Sequence, residues 1–361
     1  SLIQHIDRYY NITDTVAVNL QPQQIAFNGV IKRNELITTL VQGLDYDSIP
    51  FNGNYSSNES DSALQLKATI ARFVYQTNRI SDGSVGIASH NDQLNGAILF
   101  DTLAMGSNLF YKTAIIANAA GDSLSVAALT KDLQGKDRYA FGADIIQKEK
   151  AYQFSIKDSL LLNYQQWNVA RDNRIAYSTD GIFVNNFVLT SDSTKIAAAS
   201  RDSSLNSPVD ISIDNFKIRD ITAILNQDTL LASGTIDGKF SIAEFDKKLP
   251  AFTGNIQIDS LQFMQQPVGN IKLFAEKRDE NTITANMELT GNANLATIKG
   301  EYYLNNTDKQ FDADFNIAHL NMATLQAFSQ GNLSRSSGDI KGNIKLDGKF
   351  TEPHWNGELR F

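Results

Sequence analysis

Apolar and polar residues alternate along most of this chain. From Leu230 to Ile242, apolar or small residues occupy every second position, and Ser, Thr, Asp and Lys stand between them. The same alternation recurs at 283–289 and 340–346. A period of two is that of a β-strand with one dry face and one wet face.

Helical spacing is confined to short stretches. Apolar residues recur with the spacing of an amphipathic helix at 34–44, and weaker candidates lie at 220–225 and 323–328. Because the period of two dominates elsewhere, the sequence predicts an all-β fold with a few short helices.

Six segments break the alternation in the same way, with two residues between apolar positions where strict alternation allows one. In the segment 211–218, the slip falls between Ile213 and Phe216. One extra residue keeps both halves of a strand facing the same side only if the strand bulges or bends there. Asp or Asn suits such a kink, and these residues stand at Asp101, Asn185, Asp214 and Asp259. Chance coincidence in a β-rich chain is the alternative explanation. The other five segments are 68–75, 98–105, 182–189, 256–263 and 315–322.

Residues 209–258 and 313–361 form an internal repeat, in which Phe216 aligns with Leu320 and Gly238 with Gly342. No Pro-rich linker or change of composition interrupts the chain. We therefore predict one continuous repetitive β-structure over 1–361, elongated by repeated strands rather than closed into a globule. The sequence begins without Met and stops inside a strand pattern, so we expect it to be a fragment of a longer polypeptide.

The composition narrows the class of protein. The chain has 32 Lys and Arg against 40 Asp and Glu, a net charge of -8, and this acidity without a basic block argues against a nucleic-acid partner. Apolar residues make up 42% of the chain, which excludes intrinsic disorder. The absence of cysteine removes disulfides and thiolate chemistry. No run of about 18 apolar residues is present, so we predict no membrane span within the chain.

The search for catalytic chemistry gives no candidate. The sequence holds neither a nucleophile elbow nor a zinc-protease motif. Asp312 and Asp314 alternate with Phe311 and Phe315, so they are interpreted as the wet face of a strand. We predict no enzyme activity, no metal site and no cofactor. The histidines are scattered, with no two at ligand spacing, at His5, His90, His319 and His354.

Glycines and apolar residues follow a fixed order in the last part of the chain: Gly338, Ile340, Gly342, Ile344, Leu346 and Gly348, then Pro353, Trp355, Gly357 and Leu359. This order resembles the repeated strand signature of the C-terminal half of the TamB proteins, which belong to the AsmA-like family of bacterial envelope proteins. The segments 167–189 and 325–338 also resemble the family. The resemblance extends over roughly residues 30–361.

The resemblance implies a β-taco, which is a long sheet folded lengthwise into a hydrophobic groove. It implies a periplasmic protein of a diderm bacterium, tethered to the inner membrane by a segment outside this fragment. A TamA-like outer-membrane barrel is the implied protein partner. The implied function is a lipid-transfer bridge that carries phospholipid toward the outer membrane. The alternative is a structural or assembly factor that helps outer-membrane β-barrel proteins or autotransporters to fold.

The residues themselves allow lipid binding without demanding it. A sheet with one dry face must bury that face, either against its own side chains or against a guest molecule. Each methylene that enters such a trough contributes about 0.8 kcal/mol. Periodicity does not distinguish a packed β-core from an open trough, so both alternatives stand. A third alternative, a β-helical carbohydrate-active enzyme or adhesin, would need clustered carboxylates or aromatics on the wet face, which instead holds scattered Lys, Asp, Ser and Asn. The predicted lipid-groove residues are Ile211, Ile213, Phe216, Ile218, Ile236, Phe240, Ile242, Ile256, Ile258, Leu261, Phe263, Phe315, Ile317, Leu320, Ile340, Ile344 and Leu346.

Overall fold

A computed structural model gives the fold. It describes residues 6, 9–10, 21–58, 63–106, 108–148, 151–225, 231–329 and 332–361, and side chains at 222–225 are left out of the description. Strands dominate the described residues and the helices are short, which confirms the predicted all-β class. Chain contacts divide the protein into two units, Ser1–Thr179 and Asp180–Phe361. Two predicted features, the start of the alternation at Leu230 and the histidine His5, lie outside the described residues.

The described part of unit 1 contains antiparallel strands, with a short helix at Glu35–Leu40. Strands β4 to β9 form a meander in which each strand pairs with the next. The elements of unit 1 are β1 (Gln24–Ile31), α1 (Glu35–Leu40), β2 (Leu44–Tyr46), β3 (Ile49–Ser56), β4 (Leu64–Tyr75), β5 (Asn78–His90), β6 (Gln93–Met105), β7 (Asn108–Ala120), β8 (Ser123–Lys131), β9 (Asp137–Lys148), β10 (Ala151–Ile156), β11 (Ser159–Leu162), β12 (Gln165–Val169) and β13 (Arg174–Ser178).

Unit 2 is a second antiparallel meander, in which each strand from β15 to β25 pairs with the next. Its elements are β14 (Gly181–Asn185), β15 (Phe187–Ser191), β16 (Thr194–Ser200), β17 (Val209–Lys217), α2 (Ile218–Leu225), β18 (Ala232–Ala243), β19 (Ala251–Phe263), β20 (Gln266–Lys277), β21 (Thr282–Gly291), β22 (Asn294–Tyr303), β23 (Phe311–Asn321), α3 (Met322–Phe328), β24 (Asp339–Lys349) and β25 (Glu352–Arg360).

Tight turns with left-handed residues join several of these strands. Between β21 and β22, Asn292 and Ala293 have φ of 49° and 58°. Between β19 and β20, Met264 and Gln265 have φ of 48° and 65°. Two central residues with positive φ are typical of the hairpin turn whose twist matches that of the flanking strands. These turns keep consecutive strands paired and fix which side chains share a face.

The predicted phase slips of unit 2 coincide with irregular pairing. The register shifts between Ile213 and Phe216, between Ile258 and Leu261, and between Ile317 and Leu320. At the fourth slip, β14 ends at Asn185 and β15 begins at Phe187.

The left-handed residue differs from the one that the sequence suggested. Positive φ falls on Asn186, Asn215 and Ser260, each one position after the predicted kink residue. In unit 1, four neighbouring strands each leave one residue unpaired at the same level, so the register between them does not shift. The unpaired residues are Ala71, Asp82, Asp101 and Lys112.

All three predicted helices are present with different bounds. The helix α1 ends at Leu40 rather than at position 44, because Gly43 takes φ of 78° and Leu44 begins β2. The helix α2 begins at Ile218, so the alternating strand pattern predicted through this residue is wrong there. The helix α3 begins at Met322, where the Asn321 side chain accepts a hydrogen bond from the backbone N–H of Ala323.

The buried core of unit 2 lies at the strand ends that lead into α2 and α3. Leu261, Val268 and Leu289 form its centre. Phe328 of α3 stacks on Phe263, with ring centroids 4.8 Å apart and planes 9° from parallel. Ile218, Ile258, Ile271 and Leu320 also pack against this cluster. None of the helices in the described ranges is long and apolar enough to cross a membrane.

Candidate functional site: the apolar sheet face

Strand register aligns the dry positions of unit 2 into rows that cross the sheet. In the central row, Ile213 lies opposite Gly238, which lies opposite Ile256. Paired residues share a face, so every member of a row projects to the same side. The central row continues across nine strands as Ile196, Ile213, Gly238, Ile256, Leu273, Met287, Ile298, Phe315 and Ile344.

A similar row flanks the central row on each side. One contains Ile211, Phe240 and Gly254 and continues through small residues to Leu346. The other contains Phe216, Ile236 and Ile258 and continues to Ile317. With strands about 4.8 Å apart, the central row extends roughly 40 Å across unit 2. We call these three rows the apolar sheet face.

Most of the predicted groove residues lie in these rows. Ile242 lies on the same face, towards the opposite strand ends, and pairs with Phe252. Five others lie at the helix-bearing end: Ile218, Leu261, Phe263, Leu320 and Ile340. The structure thus brings the predicted residues to one face. The row through Ile258 runs into the packed cluster, to which Ile258, Ile271 and Leu289 of that row belong.

The predicted residues are buried to different degrees. Leu261 is 9% exposed and Ile340 is 5% exposed, and both lie at the helix-bearing end. The other predicted residues are half-buried, and none is exposed. The side chains of the central row and of the row through Ile211 are thus less buried than the cluster at the helices.

Sequence reasoning missed several members of the face. Leu273, Met287 and Ile298 occupy the central row between predicted residues, yet they were not singled out. The signal was present, because β20, β21 and β22 follow the same period of two.

Unit 1 has an apolar face of its own, which was not assigned to a site. Phe51 lies opposite Ala68, and Val85 lies opposite Ile98. One row runs as Gly29, Phe51, Ala68, Val85, Ile98, Ile115, Ala128 and Phe141.

The opposite face of unit 2 is polar, as the alternation predicts. Asp312 receives hydrogen bonds from Lys309 at 2.6 Å and lies 3.1 Å from Lys345. These two cations lower the pKa of Asp312, Lys309 contributing most. The interpretation of Asp312 as a wet-face residue is therefore supported by its contacts.

Two clefts of unit 2 are lined by polar side chains of this face. A cleft of about 680 Å³ runs between two rows of polar side chains that include Lys239, Gln257, Lys272 and Glu288, and its lining also includes Ile256 and Leu273 of the central row. A second cleft, of about 500 Å³, is lined by Asp210, Ser212 and Lys239 together with the backbone of the row beneath. Both hold mixed polar groups. Within the described ranges, no group of three His, Asp or Glu side chains could hold a metal ion.

These features define a class of protein: an antiparallel β-sheet protein in which each unit has an apolar face, and in which the opposite face of unit 2 is charged. A protein-family model described as the N-terminal domain of TamB matches residues 161–361. That match covers more than half of the chain, and the chain belongs to the TamB family.

The family assignment is thus confirmed. The description of the matching model names the N-terminal domain, so it does not support the assignment to the C-terminal half of the family's chains. Neither a curated protein nor a solved structure matches the sequence. The TamB family is a family of periplasmic transport and assembly proteins of the cell envelope, associated with a TamA-like partner in the outer membrane.

Proposed function

We propose that this protein is a lipid-transfer bridge, which carries phospholipid acyl chains along the apolar sheet face across the periplasm toward the outer membrane. One observation carries the proposal: the central row and the row through Ile211 cross many strands without interruption, while their side chains remain only half-buried. Family membership supports the same function, since lipid transport and envelope assembly are the roles that it suggests.

The energetics favour hydrocarbon as the guest. Each methylene that leaves water for the face contributes about 0.8 kcal/mol, so a few methylenes per strand pair are enough for useful affinity. A row without polar side chains has no means of selecting one lipid position over the next. A sliding chain therefore meets similar surfaces at each step, as a conduit requires. The head group stays in water at the strand ends.

The proposed partners follow from this function. Phospholipid is the cargo, and a TamA-like outer-membrane barrel receives it. An inner-membrane tether, carried on a segment outside this fragment, holds the bridge at its other end.

Photo-crosslinking at neighbouring residues tests the proposal. Phe240 is half-buried on the apolar face, and Lys239, the preceding residue, is exposed on the polar face. A photo-reactive side chain at position 240 is expected to capture phospholipid in cells, and the same side chain at position 239 is expected to capture little. Equal capture at the two positions would overturn the assignment of the face.

Family membership suggests an assembly role as well, in which the protein helps outer-membrane β-barrel proteins to fold. Such a factor would pair one of its strands with a strand of its client protein. Disulfide trapping between a cysteine at Asn356 and a nascent barrel strand would support this function. Phospholipid capture without such trapping would favour lipid transfer.

A further inference from the structure

Four phenylalanine rings lie directly over glycines of the neighbouring strand. In each case the two residues are partners in the strand register. The pairs are Phe51 with Gly29, Phe27 with Gly53, Phe100 with Gly83, and Phe240 with Gly254. All four lie on the apolar faces, three in unit 1 and one in unit 2.

The missing Cβ of the glycine makes this arrangement possible. A Cβ added to Gly254 would lie 2.5 Å from Cδ1 of Phe240. A Cβ added to Gly53 would lie 2.6 Å from Cζ of Phe27, within the distance that real Cβ atoms avoid. The backbone of Gly254 does not require glycine, because its φ is not in the left-handed region. Glycine is needed at this position because the Phe240 ring occupies the space that a Cβ would take.

A ring that lies against the backbone covers a glycine in the way known as aromatic rescue. It adds a large apolar area, yet it projects less from the sheet than an upright side chain would. We infer that the Phe–Gly pairs set the depth of the trough and thereby determine whether an acyl chain can pass over those strands. This inference rests on the proposed lipid function and assigns a specificity-determining role within it.

The substitution Gly254→Ala tests the inference at one level of the face. The added methyl group forces the Phe240 ring to stand away from the sheet. An upright ring takes the space of about two methylenes, each worth about fourfold in affinity. Lipid capture by an aliphatic diazirine side chain at Ile211, the neighbour of Phe240 in its row, is therefore expected to fall on the order of tenfold.

Two further variants distinguish an effect of trough depth on lipid capture from an effect of lost protein stability. Gly300 lies in the same row, and the nearest atom to a Cβ added there is 3.7 Å away. Gly300→Ala therefore adds the same methyl group without a ring above it and should leave capture at Ile211 unchanged. The double variant Gly254→Ala, Phe240→Leu removes the ring and should restore capture. A diazirine at Ile298, several strands from Gly254, should report unchanged capture in the Gly254→Ala variant and in the double variant.

The outcomes distinguish the two proposals. Capture of phospholipid at Ile211 by the unaltered chain, together with equal capture by the Gly254→Ala variant, would overturn the inference and leave the lipid function standing. An equal loss in Gly300→Ala would also overturn it. No capture by the unaltered chain at Ile211 or Ile298 would contradict both. In unit 1, Gly83→Ala beneath Phe100 and its control Gly96→Ala should repeat the contrast, since the atom nearest to a Cβ added at Gly96 is 3.9 Å away.

Discussion

Single residues with left-handed backbone hold the irregular strands of unit 2 in register. Asn215 at φ of 51° lets β17 carry an extra residue, and its backbone N–H donates a hydrogen bond of 2.9 Å to Asp237 on β18. Ser260 does the same in β19, where its N–H donates to the Asn270 side chain at 2.8 Å. The apolar positions beyond each slip therefore return to the same face. The sequence pattern located these slips, but local propensity alone placed the kink one residue too early.

Gly342 is a position where backbone conformation demands glycine. Its φ is 147°, and a Cβ there would overlap the carbonyl oxygen of Glu358 on β25. Gly342→Ala is expected to lower the free energy of unfolding by about 2–4 kcal/mol, because both strain and overlap must be relieved. Urea unfolding measures the loss. Gly300→Ala is the control and should change the free energy by less than about 1 kcal/mol.

The ion pairs around Asp45 predict a pH-dependent contribution to the stability of unit 1. Hydrogen bonds from Arg72 and Arg33 lower the pKa of Asp45 from 3.8 to about 2. A folded-state pKa below that of the unfolded chain stabilises the fold above the unfolded value, and this stabilisation disappears as the pH falls through the folded value. Asp45→Asn should therefore lower the free energy of unfolding at neutral pH, with the difference vanishing near pH 2. A difference that stays constant over a pH series of denaturant titrations would contradict this account.

Short helices close one end of the apolar face at the level of secondary-structure elements. In unit 2, α2 and α3 each stand between two paired antiparallel strands. Buried Asn294 anchors α3 by donating to the Thr324 hydroxyl at 2.9 Å and to the Val268 carbonyl at 2.7 Å. Its oxygen accepts the backbone N–H of Asn321 at 2.7 Å. The helix is therefore fixed by polar contacts as well as by the Phe263–Phe328 stack.

Removing the Asn294 side chain tests this anchor. Asn294→Ala takes this partner from the buried Val268 carbonyl, the buried Thr324 hydroxyl and the half-buried N–H of Asn321, at a cost of about 2–3 kcal/mol in unfolding free energy. Amide hydrogen exchange should rise in α3 more than in β21. Asn343→Ala, at an exposed position of the polar face, is the matched control and should have little effect. Unchanged exchange in α3 would show that the aromatic stack suffices.

Strands and helices could be predicted from the sequence where a local pattern of apolar residues determines them. Alternation identified the strands, and helical spacing located α1, α2 and α3. The end of α1 was not predictable, because it depends on the turn at Gly43 rather than on apolar spacing. The alignment of Leu273 and Met287 into the central row was also missed, since rows depend on register between strands. Burial at the helix-bearing end depends on the side chains that pack around Leu261, such as Ile218 at the start of α2, and no period reveals these contacts.

At the scale of the whole molecule, we expect the two faces of the sheet to have different roles in transport. The apolar face would guide hydrocarbon, and the polar face, with pairs such as Lys345 and Asp312, would stay in water. Two sequence-based expectations stay predictions. One is that 1–361 form one continuous repetitive structure, and the other is that 209–258 are repeated in 313–361. Each unit presents an apolar face by itself, so transport should be sensitive to a charge placed on either.

Ile344→Asp places a carboxylate in the central row near β25. A charged group must keep its water, so it interrupts the apolar path, while the half-buried position of Ile344 should spare the fold. We expect phospholipid passage in cells to be blocked and the thermal unfolding midpoint to fall by only a few degrees. Lys345→Asp, on the polar face of the same strand, is the control and should transport normally. Normal transport with Ile344→Asp would exclude this row as the route.

Native mass spectrometry of the gently extracted protein tests the central claim most directly, because it weighs whatever occupies the apolar face. The account predicts phospholipid masses bound to the unaltered chain, and their loss when Ile298 and Ile344 are both replaced by Asp. A folded, unaltered chain that emerges free of phospholipid would contradict the account.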